Sequence, residues 1–326
     1  MSTPDERYHP YATGIAAETV SKHQDPQDLV FYAGWFCPFV QRSWIALEER
    51  NIPYQYKEMN PYKKEKHFLA INPKGLVPAV EYKGVALYES LVLNEFFEDA
   101  FPSSTPSLLP ADPIARAQGR IVIDHLSKAF LPTFFRLLQS QEVEKQEAAK
   151  NDVYEALRTF AKQIKGPYFF GEQFSLVDAA IAPWVVRDYI VIEHRRFKRE
   201  EVSDAWKKYA EVIEKRDSVL KTSSDKEHYT EIYGRFIELV IYGNVVRIRD
   251  EVGLANEWLG PGLDRLDELY VNVEVGDIPG GADKGEDLPV GIWPSPEVPG
   301  VASDVYVTLD LTAYGLDPIQ FPTSTT

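Results

Sequence analysis

Leu29-Val30-Phe31-Tyr32-Ala33-Gly34-Trp35-Phe36-Cys37-Pro38 is an apolar run that turns, through a glycine, into a segment headed by Cys-Pro. Residues 29–32 have the length and character of a buried strand. Beyond them Val40, Trp44 and Leu47 recur at helical spacing over 38–49, and Pro38 suits a first helical turn, where its missing N–H is no loss. Cys37, the only cysteine of the chain, therefore stands where a strand ends and a helix begins. Free N–H groups and the helix dipole favour negative charge at such a point. A thiol there is expected to have a lowered pKa and to attack disulfides or electrophilic carbon. The alternative is an inert, buried structural thiol, the commoner fate of a lone cysteine taken without its context.

Outward from this junction, the alternation of Tyr54-Gln55-Tyr56-Lys57-Glu58 predicts a second strand, and 63–70 a short helix. Asn72-Pro73-Lys74-Gly75 reads as a turn. Residues 76–82 and 85–88 read as two strands joined by a Lys83-Gly84 hairpin loop, and Glu89-Ser90 opens a helix to about residue 100. Strand, helix, strand, helix, hairpin, helix is too short for a dinucleotide-binding fold. With Cys37-Pro38 at one turn and Val77-Pro78 before the hairpin, it has a thioredoxin-like layout. No cysteine stands at Phe39 or Val40, so the site is monothiol and an outside thiol must resolve any disulfide it forms.

The Pro/Ser-rich stretch 101–113 reads as a linker. Helical periodicity follows at 114–139, 145–165, 175–190, 203–216 and 226–240. Ser175-Leu176-Val177-Asp178 is a capping-box start, with a serine oxygen for a backbone N–H one turn on and a carboxylate that reaches back. The expected organisation is a polar N-terminal arm (1–27), an α/β domain (28–101), an all-helical domain (114–242) and an extension (243–326). Residues 236–326 hold four Lys/Arg against sixteen Asp/Glu, with eleven of the nineteen glycines. The extension is expected to be irregular, acidic and partly disordered.

The formal charge of −15 argues against nucleic acid as the main partner, which needs a basic face. One cysteine cannot form an internal disulfide, so a reducing, cytoplasmic compartment is expected. Asp5, Glu6 and Arg7, with no apolar stretch beside them, do not read as a signal peptide. The apolar run 179–186 is broken by Pro183 and is short of a membrane span, so no membrane partner is expected. No His/Cys cluster has metal-ligand spacing, and no glycine-rich phosphate loop is present.

Residues from about 29 to 235 resemble a cytosolic glutathione transferase of the omega class. The resemblance rests on Phe36-Cys37-Pro38-Phe39-Val40-Gln41-Arg42, Asn72-Pro73-Lys74-Gly75-Leu76-Val77-Pro78, Leu87-Tyr88-Glu89-Ser90 and Phe174-Ser175-Leu176-Val177-Asp178, in that order and spacing. Cys37 stands where other classes use Tyr or Ser. A glutathionyl-hydroquinone reductase relative also uses cysteine, in a Cys-Pro-Trp context that Phe39 does not match. The resemblance implies a thioredoxin-like domain followed by a helical domain, glutathione as co-substrate, no metal, and a homodimer. It implies that Cys37 forms a mixed disulfide with glutathione, and that a cis Pro78 holds the Val77 backbone against the cysteinyl unit. Glu89 and Ser90 would bind the γ-glutamyl end, Lys64 the glycyl carboxylate, and Phe36 would line the pocket. The expected activity is thiol transfer: deglutathionylation, reduction of a dehydroascorbate-type acceptor, or removal of glutathione from S-conjugates.

For the second substrate, His125 is a candidate on the first long helix, although a structural histidine is the plainer reading. The last core helix has Lys226 where the omega family often has an aromatic residue, with Tyr229 nearby. His194-Arg195-Arg196-Phe197-Lys198-Arg199 is basic and reads as a solvated helix end. A different class of function stays open: a glutathione-transferase-like binding or scaffold module that works through its acidic extension.

Overall fold

The computed structural model describes residues 9–60 and 66–237 and, beyond these, the strands β5 to β9 given below. The chain divides into a unit 1–237 and a unit 238–326.

The first unit begins with α1 (Gly14–Lys22), then β1 (Leu29–Ala33), α2 (Pro38–Glu49), β2 (Gln55–Glu58), α3 (Lys66–Ile71), β3 (Ala79–Tyr82), β4 (Val85–Tyr88) and α4 (Ser90–Ala100). The sheet order is β2-β1-β3-β4, with β1 parallel to β2 and antiparallel to β3, and β3 antiparallel to β4. Lys83 and Gly84 both have positive φ, 51° and 79°. A two-residue hairpin needs that pair because its twist then matches the strands. Strand β3 starts after a cis Val77–Pro78 peptide, later than the expected residue 76.

Residues 9–22 do not form a polar arm. α1 was hidden in the sequence because its buried face is made of small residues, Ala16 and Thr19, which give little hydrophobic signal. The Thr13 N–H donates to Ser224 Oγ (3.1 Å), and Asp225 N–H donates to Thr13 Oγ1 (3.0 Å). The Trp35 indole N–H is held by the His9 carbonyl (2.9 Å).

The helical part runs through α5 (Pro113–His125), a π-helical turn (Leu126–Phe130), α6 (Leu131–Gln139), α7 (Val143–Ala161), α8 (Leu176–Val185), α9 (Asp188–Arg195), α10 (Arg199–Val202), α11 (Asp204–Ile213), α12 (Asp217–Lys221) and α13 (Lys226–Ile237). The expected helix 114–139 is thus continuous but carries a π turn. The expected helix 175–190 is two helices. Every residue of α8 is buried, which fits a helix that is apolar all round, and α8 packs on α2. Its capping box forms. The buried Asp178 carboxylate also accepts the Phe169 N–H (2.8 Å) and the Tyr209 hydroxyl (2.7 Å). Asp178 thereby fixes the start of the helix on which α2 rests.

The basic stretch 194–199 is not a solvated end throughout. Arg195 is buried and donates to the carbonyls of Leu137 (3.1 Å), Leu138 (2.8 Å) and Ile237 (2.8 Å). It ties α9 to the ends of α6 and α13.

The second unit contributes β5 (Val245–Val246) paired antiparallel with β6 (Val271–Asn272), and an antiparallel sheet of β7 (Val290–Pro294), β8 (Val305–Leu309) and β9 (Ile319–Thr323). Part of 243–326 thus forms strands, and the partial disorder expected of this extension falls on residues outside the described ones.

Candidate active site

Three chain segments meet at one end of the sheet, and the strand register is the reason. Tyr32 of β1 lies opposite Ala79 of β3, which lies opposite Tyr88 of β4. The residues just after β1, just before β3 and just after β4 therefore share an edge: the Cys37 turn, the Val77–Pro78 step and Glu89-Ser90.

Cys37 is the N-cap of α2, with Pro38 in the first turn. Its N–H closes a turn onto the Gly34 carbonyl (2.9 Å). The half-buried thiol donates to the Val77 carbonyl at 3.8 Å. Burial pushes the thiol up from its ordinary pKa; the N–H groups of Val40 and Phe39 and the charges of Arg187 and Arg42 pull it down. The lowered pKa expected from the helix start is therefore corrected. The amides are aimed as expected, but the packing round the sulfur outweighs them, and a bond donated to a carbonyl further favours the protonated form.

Glu89 is the N-cap of α4, with φ of 77°, a sparsely populated conformation for a residue with a side chain. Its carboxylate is exposed and pairs with Lys74 at 3.0 Å. Ser90 is buried, and its carbonyl accepts the Ser43 hydroxyl of α2 (3.2 Å). Phe36 is half-buried, edge-on to Trp35 at 5.6 Å between ring centres. Lys64 lies outside the described residues.

The three second-substrate candidates part company. Tyr229 is buried, 5.2 Å from the Trp35 ring and under the Arg187 guanidinium at 4.3 Å. Lys226 sits over the Tyr189 ring at 4.9 Å. His125 does not join them, because its Nε2 is engaged by the Ala156 carbonyl of α7 (3.1 Å). That is the structural role which was the plainer reading of its sequence.

Three residues near Cys37 escaped the sequence reading. Arg187, which follows α8, is fully buried. It bonds the Gln41 side-chain oxygen and donates to the carbonyls of Pro183 (2.7 Å) and Phe36 (3.3 Å). Arg42 donates from Nε to the Ala180 carbonyl (2.8 Å) and stacks on Trp184 (4.5 Å). Tyr233 is buried on α13, and desolvation pushes its hydroxyl up to about 12. Arg42 stood inside a motif already singled out, so its neighbourhood to Cys37 was open to view. Arg187 and Tyr233 are more than 140 residues away in sequence and carried no local signal.

Among the described residues, no group of three or more His, Cys, Asp or Glu side chains could hold a metal ion, and no helix is long and apolar enough to cross a membrane.

Residues 36–100 match the family model "Glutathione S-transferase, N-terminal domain", and 143–211 match "Glutathione S-transferase, C-terminal domain". The crystal structure of glutathione transferase Omega 3C from Trametes versicolor is similar at 64% identity and a TM-score of 0.68, over 69% of this chain and 97% of that one. A probable glutathione S-transferase parC of Nicotiana tabacum is 32% identical over 61% of this chain and 91% of its own length. Rice GST1, solved in complex with glutathione, is 29% identical with a TM-score of 0.59, over 64% of this chain and 95% of that one.

Proposed function

Because this chain belongs to the glutathione S-transferase family and is of omega type, we propose that it is a glutathione-dependent thiol transferase with Cys37 as its nucleophile. The observation that carries this reading is the placement of the single thiol. Cys37 heads α2 with its sulfur turned to the Val77 carbonyl beside the cis Val77–Pro78 peptide. A hydroxyl donor at this position would keep the thiolate of glutathione for attack on electrophilic carbon. A thiol does this badly, so conjugation is expected to be slow and disulfide exchange fast.

The Cys37 thiolate attacks the glutathione sulfur of a glutathionylated substrate, or of the mixed disulfide that glutathione first forms by exchange with a disulfide substrate. The substrate S–S bond breaks, its other half leaves as a thiolate, and Cys37 is left joined to glutathione. The thiolate of a second glutathione, its proton given to water, attacks the glutathione sulfur of that adduct. Oxidised glutathione departs and the electron pair returns to Cys37. The Val77 backbone is suited to pair with the cysteinyl unit. The Glu89 carboxylate would face the γ-glutamyl ammonium, and the first turn of α4 at Ser90 the γ-glutamyl carboxylate. Lys64 is assigned the glycyl carboxylate, and Phe36 the pocket wall. Tyr229 and Lys226 border the acceptor side.

The test is reduction of hydroxyethyl disulfide by glutathione. Cys37→Ser is expected to lose a thousandfold or more, about 4 kcal/mol of transition-state stabilisation. Equal inactivity of both proteins, each still held by glutathione-agarose, would instead favour a binding module that uses the acidic extension.

A homodimer belongs to the same reading. Val92 and Ile121 are 57% and 69% exposed. A groove of about 300 Å³ lined by Leu91, Val92, Asn94, Glu95, Arg120, Ile123 and Leu176 lies between α4 and α5. A single-chain mass in sedimentation velocity at micromolar concentration would reject it.

A further inference from the structure

Two buried cations lie beside the Cys37 turn, and among the described residues neither has an anion of its own. Arg187 is fully buried and Arg42 nearly so (0% and 2% exposed). Among the described residues, their partners are carbonyl oxygens, the Gln41 amide oxygen and aromatic faces. Arg42 keeps one buried terminal nitrogen, and Arg187 its buried Nε, with no acceptor at all. Among the described residues, neither forms an ion pair with a carboxylate. A desolvated charge without a counter-ion is costly, and proteins rarely leave one unless it serves a purpose.

Both lie close enough to the sulfur to act on it electrostatically. Arg187 grips the Phe36 carbonyl and the Gln41 side chain, which bracket Cys37 in sequence, while Arg42 lies one turn further along α2, its guanidinium 5.4 Å from the centre of the Phe39 ring. The titratable groups that face them are Cys37, Tyr233, Tyr229 and Tyr189. The hydroxyls of Tyr233 and Tyr189 are held above their ordinary range by burial, so they stay neutral near pH 7.

We propose that Arg187 and Arg42 are positioning residues whose missing counter-ion is the Cys37 thiolate, so that their buried charge offsets part of the cost of ionising the nucleophile and makes it the better leaving group when the glutathione adduct is resolved. The first half concerns the thiol alone. The second half rests on the thiol-transfer reading above. In the adduct the Cys37 sulfur is neutral and the two cations are again uncompensated. Attack of a glutathione thiolate on the glutathione sulfur breaks the bond to Cys37 and returns an electron pair to that sulfur, restoring the anion the arginines lack. A leaving thiolate of lower pKa departs faster, so the arginines direct the attack as well as speed it.

The experiment measures the pH dependence of iodoacetamide alkylation of Cys37 in the full-length protein, with no glutathione present. Arg187→Lys keeps the charge and alters the fork of hydrogen bonds; Arg187→Gln removes the charge. The expected result is a midpoint for Arg187→Gln about one pH unit above wild type, hence roughly tenfold less thiolate at neutral pH, with Arg187→Lys close to wild type. Arg42→Gln, read the same way, is expected to move the midpoint in the same direction and decides the matter if Arg187→Gln does not fold. An unchanged midpoint in a folded neutral variant, or equal shifts in the Lys and Gln variants, would overturn the proposal by showing a merely structural role. Release of glutathione from a preformed Cys37 adduct is expected to slow several-fold in the neutral variants. Failure of wild type to turn over any disulfide would defeat the thiol-transfer reading while leaving the alkylation result to judge the arginines.

Discussion

The two ends of α2 treat charge in opposite ways. At its C-terminal end, the buried Glu49 carboxylate accepts both Nε and a terminal nitrogen of Arg216, each at 2.7 Å, and the Ser218 hydroxyl as well. Glu49 raises the Arg216 pKa above its ordinary value, chiefly by hydrogen bonding. Here a carboxylate at the unfavourable end of the helix dipole is neutralised in a closed, bidentate pair. At the N-terminal end, the dipole, the amides of Phe39 and Val40, and two buried guanidiniums are all positive, no carboxylate pairs with the guanidiniums among the described residues, and the anion proposed for them is a thiolate that need not be present. A closed pair holds the fold together, whereas an open excess of one sign is poised for a charge that comes and goes with the chemistry.

This contrast can be broken at either end. Glu49→Ala strands part of the Arg216 charge and the Ser218 hydroxyl. It is expected to destabilise the protein by about 3 kcal/mol, read as a fall in the denaturant midpoint at constant slope, with the alkylation profile of Cys37 unmoved. Arg42→Met removes a cation that, among the described residues, has no carboxylate partner to strand. Its stability loss is expected to be smaller, about 1–2 kcal/mol, from the lost bond to the Ala180 carbonyl and the stack on Trp184. A larger loss for Arg42→Met than for Glu49→Ala would invalidate the distinction drawn between the two ends.

The smallest effect sharpens the picture beside the Cys37 turn. Glu58 accepts the Trp35 N–H (3.0 Å) and the Tyr56 hydroxyl (2.9 Å), and burial pushes it up to about 7. Its folded pKa exceeds the unfolded one, so the folded state binds the extra proton. Stability from this group is full below about pH 4.5 and is lost as pH rises through about 7. Glu58→Gln is therefore expected to gain about 1 kcal/mol on wild type at pH 8 and nothing at pH 4, in paired urea titrations. Equal midpoint differences at both pH values would show that Glu58 does not titrate in this window.

Much of the candidate site was legible before the fold was known, because its parts are local in the chain. A Cys-Pro at a strand-to-helix turn, a proline before a hairpin and an acid-serine pair at a helix start are short-range features, and the sheet register then brings them to one edge. The capping box at Ser175 and Asp178 was legible for the same reason. The buried face of α1 was not, since alanine and threonine give no periodic hydrophobic signal. The division of 175–190 into α8 and α9 was equally hidden, since an all-apolar helix has no polar face to mark its end.

The ionisation of Cys37 shows where reading the chain stops. By itself, the sequence determined that the thiol is single, that it heads a helix, and that the protein belongs with the glutathione transferases, because strand length, helical spacing and motif order are properties of neighbours along the chain. Only the tertiary structure decided that packing round the sulfur opposes the helix start, that His125 is spoken for by Ala156, and that Arg187 from the end of a distant helix stands beside the Cys37 turn. Desolvation and Coulomb interaction depend on distance through space, and a distance set by α8 packing on α2 is written in no local stretch of residues.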